Sequence, residues 1–171
     1  MGLAASTNVG ASDAVGEGHG TFELFNANGA AAYPNYRKVY ADLLVKYRHA
    51  SLLVEFGNAT AAELDELYVA PSTNQFLVPT QISEYLFLGT GLNAQLSYSL
   101  SSKWSLQGRY TQIDPEFGGN PRSLVRPAQT FTLGGTRYIA GSAAKLQLQI
   151  SAVSMAEETS MNAAVALQFG F

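Results

Sequence analysis

Alternate residues at the end of this chain belong to two different chemistries, and this alternation constrains the fold more than any other feature. Counting back in twos from Phe171 gives Phe169, Leu167, Val165, Ala163 and Met161, while the interleaved positions are Gly170, Gln168, Ala166, Ala164 and Asn162. One set is apolar throughout; the other is small or polar. Successive side chains of a strand point to opposite faces, so Ser160 to Phe171 reads as a β-strand with one apolar face. Its length matches what a tilted strand needs to cross a bilayer. The same pattern also fits an inward-facing edge strand of a soluble sandwich or lipocalin-like barrel.

The period of two recurs upstream. Gly2 to Asn8 carries it faintly. From Arg37 to Tyr47, Val39, Ala41, Leu43, Val45 and Tyr47 oppose Tyr40, Asp42, Leu44 and Lys46. Across a tight turn at Arg48-His49-Ala50, Ser51 to Gly57 returns with Leu52, Val54 and Phe56 on the apolar side and Leu53 and Glu55 on the other. From Ile82 to Leu100 the outward set is Leu86, Leu88, Thr90, Leu92, Ala94, Leu96, Tyr98 and Leu100. After a turn at Ser101-Ser102-Lys103, Trp104 to Ile113 places Trp104, Leu106, Gly108 and Tyr110 outward, with Arg109 inward. Gln129 to Ala140 and Lys145 to Met155 complete the set before the terminal strand. Trp104, Tyr98 and Tyr110 sit where the aromatic girdles of a membrane barrel would lie.

Long and short connections alternate. The long ones are Val9 to Tyr36, Asn58 to Gln81 and Asp114 to Pro127; the short ones lie at His49, Ser102 and Ser142, and only the last outer turn, Ala156 to Thr159, is short. A soluble sandwich has no reason to sort its connections by parity, whereas outer-membrane barrels carry long outer loops and short periplasmic turns. The expected fold is therefore an all-β, antiparallel, up-and-down transmembrane β-barrel of about eight strands in residues 1–171, either complete or the C-terminal half of a barrel of about sixteen. Ala61 to Tyr68 (AAELDELY) is expected to form a short acidic helix inside the second long loop. Its Glu63, Asp65 and Glu66 are expected on a solvated face, because they lack calcium-loop spacing.

Composition narrows the function. Charged residues make up 13% of the chain, about half the usual share, and cysteine is absent. No apolar run is long enough for a membrane helix, and a mean hydropathy near zero is what alternating strands produce. The net charge of -3 argues against a nucleic-acid partner. Enzymatic activity is not expected: His19 and His49 lie in loops or turns, no Gly-x-Ser-x-Gly occurs, and no ligand cluster has metal spacing. Neither a cofactor nor a metal is expected. No secretory signal is visible at Met1 to Ala5, so an export signal was removed or the chain is part of a longer one.

Several segments carry a family resemblance. ADLLVKYRHASLLVEF (Ala41 to Phe56), WSLQGRYTQIDP (Trp104 to Pro115), FTLGGTRYIAGSAAKLQLQISAV (Phe131 to Val153) and the terminal AVALQFGF resemble the C-terminal half of the phosphate-selective porin O and P family. The penultimate hairpin departs from the family, with Gly135, Thr136 and Arg137 where aromatic residues are usual. The aromatic end, through Val165, Leu167, Phe169 and Phe171, resembles the signal read by the barrel-assembly machinery of the bacterial outer membrane. The resemblance implies an outer-membrane pore, with homotrimers possible, through which small anions such as phosphate or other hydrophilic solutes diffuse passively.

The residues expected to line and select in the lumen are Asp42, Lys46, Glu55, Arg109 and Lys145. Arg122 and Arg126 are candidate anion contacts in the third long loop. Because Asp42 and Glu55 share the wall with the cations, anion preference does not follow from the residues alone. The alternative is a small eight-stranded barrel serving as a structural anchor or adhesin, with ligand-binding loops.

Overall fold

The computed structural model describes residues 2–9, 25–30, 35–62, 67–68, 76–77, 81, 83, 87–140, 143–155 and 158–169. Eight of its strands form a single antiparallel sheet: β1 (Gly2–Val9), β2 (Asn35–Tyr47), β3 (Ala50–Ala62), β6 (Gly89–Ser101), β7 (Trp104–Pro115), β8 (Ala128–Tyr138), β9 (Ala144–Met155) and β10 (Glu158–Phe169). Two short strands, β4 (Leu67–Tyr68) and β5 (Phe76–Leu77), pair separately within the connection from β3 to β6. The main sheet runs β1-β2-β3-β6-β7-β8-β9-β10, an up-and-down meander in which each strand lies beside the next long strand in sequence. β1 and β10 end the order and do not pair with each other. The expected antiparallel meander of eight strands is present, but the sheet is not closed into a barrel.

Register assigns every side chain to a face. Directly opposed residues of an antiparallel pair share a face, and the pairing runs without a break through Phe56↔Leu92↔Gln112↔Gln129 and through Leu52↔Leu96↔Gly108↔Leu133↔Ile150↔Ala163. On β8, Leu133 is 56% exposed while its neighbour Thr132 is 2% exposed. The apolar face is thus the open one, and the polar face is the crowded, sheltered one. A soluble sheet ordinarily buries its apolar face, whereas among the described residues the apolar side chains of this sheet stay largely exposed. Among the described residues, the buried apolar side chains are only Leu67 and Leu88, both outside the main sheet.

The turns at one end are tight. Arg48 adopts a left-handed conformation (φ 52°) in the two-residue connection between β2 and β3, and Lys103 N–H donates to Ser101 Oγ in the turn between β6 and β7. At the other end the long connections knit together. Phe25 and Tyr68 exchange both backbone hydrogen bonds, Leu124 N–H donates to Ser83 O, and Glu116 N–H donates to Leu88 O.

Three expectations need correction. Ala61 and Ala62 extend β3 opposite Tyr36 and Asn35, and Leu67–Tyr68 is a strand, so the helix expected over Ala61 to Tyr68 is absent at all four described positions. Pairing with β2 satisfies the backbone that a helix would have satisfied internally. Leu88 does not face outward: the strand starts only at Gly89, whose φ of 148° breaks the alternation, and Leu88 is fully buried before it. Finally, the loop expected from Asn58 begins only after Ala62. Leu86 and Phe171 lie outside the described residues.

Candidate functional site: the polar wall and its infolded loop

The polar face consists of rows that cross the sheet nearly strand by strand. One row runs Asp42, Glu55, Asn93, Thr111, Thr130, Val153 and Ser160; the next, one pleat closer to the tight turns, runs Leu44, Leu53, Gln95, Arg109, Thr132, Ser151 and Asn162. A third holds Lys46, Ser51, Ser97, Gln107, Gly134, Gln149 and Ala164. All five residues expected to line the lumen lie on this face. Lys145 stands at its turn end, between Tyr138 and Gln168.

Hydrogen bonds tie the rows together. Asn93 Nδ2 donates to Glu55 Oε2 at 2.7 Å, and Thr111 Oγ1 donates to Asn93 Oδ1 at 3.4 Å. The hydroxyls of Thr132 and Ser151 bond at 2.8 Å, and Gln147 Nε2 reaches Thr136 Oγ1 at 3.4 Å. Asp42 is directly opposite Glu55, so two carboxylates share one rung, and the Asn93 amide offsets their repulsion by donating to one of them. Arg109 has neutral cross-strand neighbours, Gln95 and Thr132, and its side chain is exposed. Parity with Arg109 and Glu55 already puts these amides and hydroxyls on the inner face; which of them bond to one another is set by the cross-strand register.

The loop from Glu116 to Pro127 folds over the loop end of this wall. Val125 lines an open groove of about 280 Å³ together with Tyr40, Gly57, Gly91 and Ile113, all from one polar-face row. The Tyr40 ring closes over Gly57, where an added Cβ would come within 3.2 Å of it. An aromatic ring thus covers backbone that glycine leaves bare. Val125 and Arg126 also line a cleft of about 570 Å³ with Pro115, Met155 and Glu158. Arg126 therefore stands above the wall with a carboxylate in the same cleft, whereas Arg122 is exposed in the loop outside both cavities. Partial burial pushes the Glu116 carboxyl above the usual glutamate range, and the Ala61 N–H bonded to it opposes that shift.

No family model, curated protein or solved structure matches the chain. The geometry of the other face therefore carries the rest. The apolar face has a limited height. Toward the loops it ends in Phe56, Tyr110 and Phe131, beyond which the same face turns polar: Asn58 Nδ2 donates to Thr90 Oγ1 at 3.0 Å and Tyr110 Oη donates to Gln112 Oε1 at 2.9 Å. Toward the turns it ends in Tyr47, Tyr98, Trp104 and Phe169, all exposed. The run from Met161 to Phe169 is about 27 Å along the strand at ~3.3 Å per residue, or about 20 Å of height at a tilt of ~40°. Val165, Leu167 and Phe169 lie on this face by register with Leu148, Leu146 and Ala144. Among the described residues, no group of His, Cys, Asp and Glu is arranged to hold a metal ion.

Proposed function

We propose that this chain forms the wall of a porin-like channel in the bacterial outer membrane, through which small hydrophilic solutes or anions such as phosphate diffuse passively. The single observation that carries the reading is the inversion of the two faces: exposed leucine, valine and aromatic side chains on one, sheltered threonine, serine and glutamine on the other. Water stabilises a sheet with its apolar face hidden; hydrocarbon stabilises the reverse. The open order of the sheet supports a wall of a wider barrel, since eight strands closed on themselves fill their interior with side chains. The infolded loop with Val125 and Arg126 supplies a constriction, and selection there is by size and field rather than by bond-making. Among the described residues, register puts Lys38, Lys46, Arg109 and Lys145 on the polar face against Asp42, Glu55 and Glu158, a small excess of cations that favours anions weakly.

A second reading, a small barrel that serves as an anchor or adhesin, draws support from the backbone bonds that join Phe25 to Tyr68 and Leu124 to Ser83 into an ordered cap. Single-channel recording of the refolded chain in a planar bilayer under a potassium chloride gradient separates the two. Stable conductance steps with a reversal potential of anion-selective sign support the pore. Heat-modifiable folding with no conductance removes it in favour of the anchor.

A further inference from the structure

The charges of this chain are sorted along its axis. No Asp or Glu occurs from 43 to 54, from 85 to 113 or from 117 to 156, and these three windows contain the three tight turns at the end opposite the long connections, with the strand ends beside them. The same windows hold Lys46, Arg48, Lys103, Arg137 and Lys145 at or near the turn end. The turn end is therefore a cationic rim, while the described acids, Asp42, Glu55, Asp114, Glu116 and Glu158, lie in the middle of the wall or at its opposite end.

On the outer side of this rim the cations rest on aromatic rings. The Arg48 guanidinium carbon lies 5.3 Å from the Tyr47 ring centroid, and that of Arg137 lies 5.5 Å from the Trp104 ring centroid. Arg137 belongs to the apolar face, in register between Trp104 and Leu146, where a charge is tolerated only at the edge of the hydrocarbon. Backbone bonds make the rim continuous: Ser99 N–H donates to His49 O, and Tyr138 N–H donates to Lys103 O. The His49 ring meets Tyr98 edge-on, with centroids 6.3 Å apart.

We infer that this rim, with Arg48 and Arg137 stacked on its outer side and Lys103 exposed in the turn beside Trp104, binds the phosphate groups of anionic phospholipids in the surrounding bilayer. The inference rests on the membrane reading above. A guanidinium stacked on a ring keeps its in-plane N–H donors free, and these match two phosphate oxygens at once. The exposed Tyr47, Tyr98 and Trp104 side chains beside them suit the glycerol and upper acyl chain of the same lipid, which an inorganic anion does not have. An anionic headgroup is preferred over a zwitterionic one because, among the described residues, no Asp or Glu stands beside Arg48, Lys103 or Arg137 to take an ammonium group.

Trp104 is the single tryptophan of the chain and sits in the rim, so its fluorescence reports which lipid is beside it. The refolded protein is placed in phosphatidylcholine vesicles containing a minor fraction of a brominated lipid, either phosphatidylglycerol or phosphatidylcholine. The expected result is quenching by both, with the brominated phosphatidylglycerol favoured about fivefold in apparent association. The R48Q/K103Q/R137Q variant should lose that preference, and inorganic phosphate at constant ionic strength should not displace the lipid. Should the triple variant fail to fold, K103Q, which alters an exposed turn side chain, should still lower the preference measurably. Equal quenching by the two lipids in the unaltered protein, or displacement by inorganic phosphate, overturns the inference while leaving the membrane reading intact. Quenching by neither lipid overturns both.

Discussion

Glu55 is held by Asn93 across one strand pair and faces Asp42 across the other, so it anchors the negative part of an otherwise cationic wall. Glu55→Gln retains an oxygen for the Asn93 amide and removes the charge. The reversal potential should move toward anion selectivity, while Arg109→Gln should move it the opposite way. Gly89 is fixed by sterics. With φ at 148° and an added Cβ driven into the Asp114 carbonyl oxygen, Gly89→Ala must shift backbone and should destabilise by about 3 kcal/mol, read as a lower urea midpoint in vesicles. Glu116 titrates above the usual glutamate range, so the folded state holds its proton more tightly than the unfolded chain does. Its contribution to stability is therefore greatest at low pH and declines as pH rises from the ordinary glutamate value through the raised one. Glu116→Gln should flatten that decline in unfolding midpoints measured across the window. Which residues face the polar wall was legible from parity alone. Which of the inward amides bond to one another, and the infolding of Arg126, were not, because both depend on neighbours distant in sequence.

At the scale of strands, the two-residue period located each long strand to within a few positions, and turn residues such as Arg48-His49 and Ser102-Lys103 marked where hairpins reverse. Two elements were misread for the same reason. Ala61 to Tyr68 has helix-favouring composition and Leu88 continues the parity of Leu92, but local pattern yields where backbone pairing or a glycine turn decides. The face assignment makes a paired prediction on β10. Val165→Arg puts a charge at mid-height on the apolar face and should reduce folding into vesicles by about 2–4 kcal/mol. Ala164→Arg, one residue away on the polar face, should fold nearly as well as the unaltered chain. Heat-modifiable migration after refolding compares the two, and equal behaviour would contradict the assignment of faces.

For the molecule as a whole, sequence indicated the number of strands and their antiparallel order but left closure open, since nothing in a period of two states whether the end strands meet. The order β1 through β10 leaves twelve residues of β10 exposed on both faces at one edge. The order also has a kinetic meaning. Because no long strand must wait for a partner from the far side of the chain, hairpins can zip one after another from β10 toward β1, and the entropy of bringing distant segments together is incurred mainly across the connections from β3 to β6 and from β1 to β2, with a smaller share at the loop between β7 and β8. Folding should therefore begin at the end that carries Phe169, with the slow phases belonging to the first half of the chain.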